Sequence, residues 1–122
     1  MQVLGIDHVQ LAIPPGGEPT ARRFYGEVLG FVEVPKPEPM RARGGLWFQA
    51  GPVAIHLGIE AGMLASEKAH PGLLVSDFDA WRERLLAAKA PWKESDETPG
   101  TRRAHTKDPF GNRIELIEAP AP

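Results

Sequence analysis

Apolar and polar side chains alternate along much of the chain with the two-residue period of half-buried β-strands. The clearest case is VAIHLGIE, residues 53–60, in which one face carries only Val, Ile and Leu. The other face carries Ala, His, Gly and Glu. The pattern predicts a strand and raises the question of why His56 stands between two very small side chains. Two interpretations are open: a half-exposed strand histidine, or a ligand that points into a hollow.

The pattern divides the chain into two successions of elements. In the first, residues 3–13 predict a strand, the spacing of residues 21–29 predicts a helix capped by Thr20 and ended by Gly30, and three strands follow. The second repeats this order, with Asp77 as the expected helix cap, Pro91 as the helix stop and DPFGN as the turn before the last strand. The prediction is an α+β fold with one domain over 1–122, built from two βαβββ modules at about 1–60 and 69–119.

Composition restricts the function. The 122 residues carry a net charge of −2 and no cysteine. No broad basic surface is available for nucleic acid or an anionic membrane, so we expect a small-molecule partner. Any metal ion must be held by His, Asp or Glu, because thiolates are absent. Neither a secretory leader nor a membrane span is apparent, which predicts a cytoplasmic protein.

Metal-capable side chains stand at corresponding places in the two halves. His8 lies on the first predicted strand of the first half and His70 begins that of the second, while His56 and Glu115 lie on the last strands. The faces of His8, His56 and Glu115 are opposite the apolar stripes of their strands, whereas the face of His70 is uncertain. If each apolar stripe covers a helix, these side chains emerge on the open side of the sheet. Imidazoles with a carboxylate suit Zn, Ni, Fe, Mn or Co.

Several stretches resemble the vicinal oxygen chelate superfamily, which includes glyoxalase I, bleomycin and fosfomycin resistance proteins and extradiol dioxygenases. They are IDHVQLAI, FYGEVLGF, AIHLGIE, HPGLLVSD and, most distinctively, DPFGNRIELIE. The resemblance implies two βαβββ modules whose sheets curl into a cup, with helices outside, around one divalent ion. It implies that His8, His56, His70 and Glu115 are the ligands, and it favours a homodimer.

The chain also departs from the members it resembles. Glyoxalase I and its near relatives usually have Glu where this chain has His56. Extradiol dioxygenases and fosfomycin enzymes use two histidines and one carboxylate as metal ligands, which resembles the smaller set His8, His70 and Glu115. In that case His56 would lie beside the metal or contact the substrate. Bleomycin resistance proteins have the fold without a metal. We therefore expect a metal-dependent glyoxalase-like lyase or isomerase whose small substrate chelates the ion through two oxygens. The alternatives are a small-molecule binding or resistance module and a ring-cleaving dioxygenase.

The remaining candidates surround this site. Glu115 is the first candidate for proton transfer and His105 the second, although an exposed strand histidine is equally open for His105. Trp47 and Gln49 share one strand face and are candidate substrate walls, while a core or dimer role for Trp47 stays open. Arginines that would attract an anionic substrate, unless they are merely solvated, are Arg41, Arg43, Arg103 and Arg113.

Overall fold

A computed structural model describes residues 1–121 as two compact units, Met1–Met63 and a second that begins at Leu64. The first unit contains β1 (Val9–Ile13), α1 (Glu18–Ala21) continued by a π-helical segment (Arg22–Val28), β2 (Val32–Val34), α2 (Glu38–Arg41), β3 (Leu46–Ala50) and β4 (Val53–Ile59). Its sheet has the order β1-β4-β3-β2, in which β1 runs parallel to β4 and the other neighbours are antiparallel.

The core of the first unit lies between one sheet face and the helix. Phe48 and Ile55 point to this face and are almost completely buried, as their alternation predicts. Tyr25 from the π-helical segment stacks on Phe48 with ring centroids 5.8 Å apart. The helix therefore covers the apolar face, and the opposite face is left for Trp47 and His56.

The second unit repeats this arrangement. It contains β5 (Gly72–Val75), α3 (Phe78–Ala87), β6 (Lys93–Ser95), β7 (Arg103–Lys107) and β8 (Arg113–Glu118). The sheet order is β5-β8-β7-β6, with β5 parallel to β8. Phe78 and Leu85 of α3 are buried, as are the inward residues of β7 and β8, Ala104, Ile114 and Leu116.

The turn DPFGN joins β7 to β8 and is held by one buried carboxylate. Asp108 accepts hydrogen bonds from the backbone N–H groups of Phe110 and Asn112, both at 2.9 Å, and from the Asn112 amide at 2.8 Å. The backbone N–H of Asp108 donates to the carbonyl of Asn112. These bonds fix the conformation of the turn, and the turn thereby sets the register between β7 and β8.

The α+β class and the two βαβββ orders predicted from the sequence are confirmed, with the short helix α2 added between β2 and β3. Some boundaries were wrong. The first helix begins at Glu18 after Gly17, so Thr20 is not its cap. Asp77 occupies the N-cap position of α3 as predicted, although its side chain makes no cap hydrogen bond. β1 begins at Val9 because its parallel pairing with β4 extends only from Val9 to Ile13.

None of the helices described over residues 1–121 is long and apolar enough to cross a membrane.

Candidate functional site

Strand register places the candidate side chains in one row across each sheet. In the first unit His56 is the register partner of Gln10 on β1 and of Trp47 on β3. In the second unit Glu115 is the partner of Gly72 on β5 and of His105 on β7. Cross-strand partners lie side by side on one sheet face, so each row brings its polar and aromatic groups into contact.

The first unit holds three stacked rings. The imidazole of His56 lies between the indole of Trp47, with centroids 4.0 Å apart and planes at 5°, and the imidazole of His8, at 4.1 Å and 16°. His56 is only 8% exposed as a result. His8 donates from Nδ1 to the carboxylate of Asp7 at 2.9 Å, which leaves its Nε2 free of that bond.

Burial lowers the pKa of His56 below its ordinary value, and the positive potential of His8 adds to the effect. The carboxylate of Asp7 acts in the opposite direction but is outweighed. Neutral His56 is therefore the favoured form near neutral pH, with both ring faces covered and only the ring edge available to a ligand.

The stack also bears on metal binding by the two histidines of the first unit. An imidazole binds a metal through a lone pair in the ring plane, at about 2.0–2.1 Å. The lone pairs of His8 and His56 lie in two nearly parallel planes, because the rings are stacked with centroids 4.1 Å apart. A single ion bound to both requires one ring to turn out of the stack.

A pocket of about 710 Å³ opens over this row in the first unit. The three stacked residues line it, together with Val34, Lys36 and Arg43. Gln49 also lines it, with its amide nitrogen bound to the carbonyl of Gly51 at 2.8 Å. A volume of this size is within the range of small-molecule sites.

The second unit gathers two imidazoles around one carboxylate. Nε2 of His105 lies 3.3 Å from Oε2 of Glu115, and Nε2 of His70 lies 3.6 Å from Oε1. One ligand atom from each of the three residues lies within 4.8 Å of the others. Glu115 is 9% exposed, so the carboxylate is largely withdrawn from water. Two histidines and a carboxylate at this spacing fit a divalent transition ion after a small contraction.

The tautomer of His70 strengthens this fit. Its Nδ1 lies 2.7 Å from the carbonyl oxygen of Lys68, and a carbonyl only accepts, so Nδ1 carries the proton. In neutral His70 the lone pair of Nε2 then faces the carboxylate oxygen of Glu115. A cation between them, or a second proton on the ring, satisfies both acceptors. A backbone carbonyl that orients a histidine in this way is a common feature around metal sites.

Charged neighbours complete the cluster. Nη1 of Arg103 lies 3.5 Å from Oε1 of Glu115 and neutralises part of its charge. Burial lowers the pKa of His105 below its ordinary value, and the nearby Arg113 adds to this effect. Arg113 itself donates to the backbone carbonyl of Glu67 at 2.8 Å. Arg103 and Arg113, two of the four arginines predicted as contacts for an anionic substrate, therefore lie next to the cluster.

The residues predicted from the sequence thus form two groups, one in each unit. The first unit brings together His8, His56 and Trp47, with Gln49 in the same pocket. The second brings together His70, His105 and Glu115, with Arg103 beside them. The four-ligand set His8, His56, His70 and Glu115 takes two members from each unit and stays a prediction.

Sequence reasoning missed three features of these groups. It considered His105 for proton transfer, whereas the structure places it at ligand distance from Glu115 and His70. It did not single out Asp7, which binds His8, or Lys36, which lines the pocket. The register between β7 and β8 pairs His105 with Glu115, and the turn length between these strands is the signal from which that contact follows.

A family model described as the Glyoxalase/Bleomycin resistance protein/Dioxygenase superfamily matches residues 5–116. This match covers more than half of the chain. The chain belongs to this superfamily. The superfamily contains enzymes, among them members that bind a divalent metal, as well as non-catalytic binding proteins. Its fold binds small molecules and often forms dimers.

Solved structures agree with this assignment. A protein of Bacillus anthracis described as of the glyoxalase family is 41% identical, with a TM-score of 0.93, and the match covers 98% of each chain. The fosfomycin resistance protein FosX of Listeria monocytogenes is 15% identical with a TM-score of 0.80, over 98% of this chain and 96% of that one. An antibiotic binding protein of a Streptomyces species, TnmS3, is 24% identical with a TM-score of 0.71, over 97% and 100%. The last two likenesses concern the fold alone. None of the curated proteins compared with the chain matches it.

Proposed function

We propose that this protein is a metal-dependent, glyoxalase-like enzyme in which Glu115, His70 and His105 hold one divalent ion. The observation that carries the proposal is the carboxylate of Glu115 between the two imidazoles, with the Nε2 lone pair of neutral His70 facing it. Zn, Ni, Fe, Mn and Co all accept such a donor set. When bound, the ion would polarise two oxygens of a small substrate and stabilise negative charge that develops on one of them.

The protein groups have distinct tasks in this proposal. Glu115 accepts the proton that a substrate carbon loses, because it is the one carboxylate in the cluster and has a second oxygen to offer. Arg103 lies against Oε1 of Glu115 and provides N–H donors for a substrate oxygen. The chemistry would be of the lyase or isomerase type. In such reactions a base removes the proton from the carbon atom next to a carbonyl group and can return it to a neighbouring atom of the substrate.

The larger ligand set predicted from the sequence remains part of this proposal as an alternative. It shares His70 and Glu115 with the cluster but replaces His105 by His8 and His56. The ring stack argues against it in the observed side-chain conformation, since His8 and His56 must separate before both bind one ion. A dioxygenase-like set of His8, His70 and Glu115 requires no such separation.

A second candidate function is binding without turnover, as in resistance modules of this fold. The stacked residues Trp47, His56 and His8 favour it, because they line a pocket of about 710 Å³ in which a small molecule can bind without any metal. Metal dependence separates the two functions, since sequestration by shape needs no ion.

The test uses metal-depleted protein reloaded separately with Zn, Ni, Co, Mn and, without oxygen, Fe(II). NMR in D2O then follows the exchange of the C–H hydrogen next to the carbonyl in hemithioacetals and α-hydroxyketones. We expect metal-dependent exchange that falls by about 100-fold or more in Glu115→Gln at saturating metal. Glu118→Gln, on the same strand, is the matched control and should retain activity. A protein that binds none of these ions contradicts the proposal.

We also propose that the chain forms a homodimer, as members of the superfamily often do. Light scattering coupled to size-exclusion chromatography should give a mass close to twice 13.3 kDa. A monomer mass over the accessible concentration range would contradict this.

A further inference from the structure

We propose that Ser66 is a positioning residue for His70, because its hydroxyl fixes the peptide group that orients the imidazole toward Glu115. The proposal rests on the proposed function, in which His70 and Glu115 hold the ion, and it adds a residue that touches neither the ion nor the substrate. His70 and Glu115 belong to each of the ligand sets considered above. The role of Ser66 is therefore the same whichever other histidines complete the set.

One side-chain oxygen holds two consecutive peptide groups just before β5. Oγ of Ser66 accepts hydrogen bonds from the backbone N–H groups of Lys68, at 3.2 Å, and Ala69, at 2.9 Å. Residues 66–71 belong to neither a helix nor a strand, so these peptide groups have no regular ladder to order them. A serine hydroxyl that binds the backbone two and three residues on fixes such a segment locally.

The peptide group between Lys68 and Ala69 connects Ser66 with His70. Its N–H donates to Oγ of Ser66, and its carbonyl oxygen accepts the Nδ1 proton of His70 at 2.7 Å. A trans peptide group is planar, with its N–H and C=O pointing in opposite directions. The bond that holds the N–H therefore also sets the direction of the carbonyl. Hydrogen bonds in such a series polarise one another, so each strengthens the next.

The main chain is tied to the strand that carries Glu115 on both sides of His70. Before it, the carbonyl of Glu67 accepts a hydrogen bond from Nη1 of Arg113 on β8 at 2.8 Å. After it, the carbonyl of Pro71 accepts from the backbone N–H of Glu115 at 3.0 Å. The backbone around His70 is thus fixed relative to Glu115, which leaves the rotation of the imidazole about its own side-chain bonds. The hydrogen bond to the peptide group described above restricts that rotation.

The tautomer of His70 is the property that these bonds control. A metal ion at Nε2 requires the proton on Nδ1, whereas free neutral histidine favours the tautomer with the proton on Nε2. That other tautomer would put the proton between Nε2 and Oε1 of Glu115, which lie 3.6 Å apart. The side chain of His70 is 28% exposed, so water can replace the carbonyl at Nδ1 once the carbonyl turns away. Loss of the Ser66 hydroxyl should therefore favour the tautomer that blocks the ion.

The test compares Ser66→Ala with Ser66→Thr, which keeps a hydroxyl, and with Ser95→Ala as the matched control. Oγ of Ser95 accepts from the backbone N–H of Glu97 at 3.3 Å, a local bond of the same kind after β6. Long-range proton–nitrogen NMR of the metal-free, nitrogen-15-labelled full chain reports the tautomer of His70 at about pH 9, at which imidazoles are neutral. The loss of signals in His70→Gln assigns them. Titration calorimetry then gives the Kd for Zn and for Co.

We expect His70 of the wild type to carry its proton on Nδ1. Ser66→Ala should raise the ratio of the Nε2–H to the Nδ1–H tautomer about fivefold, which is the effect of one ordinary hydrogen bond on an equilibrium. It should also weaken metal binding about 10-fold, as the loss of a group that orients a ligand does. Ser66→Thr and Ser95→Ala should match the wild type in both measurements.

Several results would overturn the proposal. They are a wild-type His70 with its proton on Nε2, an unchanged tautomer ratio in Ser66→Ala, a changed ratio with unchanged metal binding, an equal change in Ser95→Ala, and no recovery in Ser66→Thr. Circular dichroism and thermal melting establish that each variant is folded, as expected for the exposed Ser66. A wild-type protein that binds no ion contradicts the proposed function instead, and the tautomer ratios of the metal-free protein then decide alone whether Ser66 orients His70.

Discussion

His56 and Glu115 occupy the same place in the two modules. Each stands on the fourth strand, opposite a residue of the parallel first strand and opposite a ring on the antiparallel third strand, Trp47 for His56 and His105 for Glu115. Each also contacts a histidine that precedes the first strand, His8 or His70. One framework therefore supports an aromatic stack in the first module and a carboxylate with two imidazoles in the second.

Metal should stabilise the protein through the second module. At a hundredfold excess over its Kd an ion that binds only the native state contributes about 2.7 kcal/mol, which raises the melting temperature. His70→Ala and His105→Ala should each abolish most of this rise in calorimetry, whereas Glu115→Gln, which keeps an oxygen for the ion, should reduce it less. His8→Ala is the control that separates the ligand sets, because it should preserve the rise if His105 is the third ligand. Loss of the rise in His8→Ala with retention in His105→Ala would support the sequence-predicted set instead.

Acid should destabilise the metal-free protein through His56. Burial lowers the pKa of His56 in the folded state, so the unfolded chain binds the proton more tightly. The free energy of unfolding should therefore fall as the pH decreases through about 6.5, and it should be insensitive to this group above that pH. Urea titrations between pH 8 and pH 5 should show a shallower fall in His56→Gln. Since His105 is shifted in the same direction, His105→Gln should also flatten the profile. Unchanged profiles in both variants would contradict the prediction.

Gly45→Ala should be far more destabilising than Gly51→Ala. Both residues have positive φ, +89° and +55°, so both variants incur the backbone cost of about 1 kcal/mol. A Cβ at position 45 would in addition collide with the backbone carbonyl of Leu57, whereas nothing lies within 4 Å of a Cβ at position 51. Denaturant unfolding measures the difference. Equal losses would show that the loop before β3 moves away from β4 at little cost.

Removal of the Asp108 carboxylate should cost about 2–4 kcal/mol, because Asp108→Ala leaves buried N–H donors without an acceptor. The donors that lose it include the backbone N–H groups of Phe110 and Asn112. Asp96→Ala, an exposed carboxylate, should change stability by less than about 0.5 kcal/mol. Chemical denaturation of the two variants provides the comparison, and similar values would contradict the role of the turn.

Most strands of this protein could be predicted because each has one apolar face and the period of two is unambiguous. The alternation around His56 and Glu115 correctly placed both residues on β-strands. The ring stack and the approach of His105 to Glu115 could not be predicted, since both depend on the register between strands. The start of the first helix was misjudged because Gly17 and Pro19 begin it without the side-chain cap that Thr20 suggested.

The turn between β7 and β8 has a consequence for tolerated changes of length. The turn pairs Lys107 with Arg113. The register that starts from this pair places His105 opposite Glu115 two residues further along the strands. Insertion of one residue would shift the pairing by one position and send one of the two side chains toward the helix-covered face. Related chains that keep this cluster should therefore vary freely in the composition of exposed loops but conserve the number of residues between these two strands.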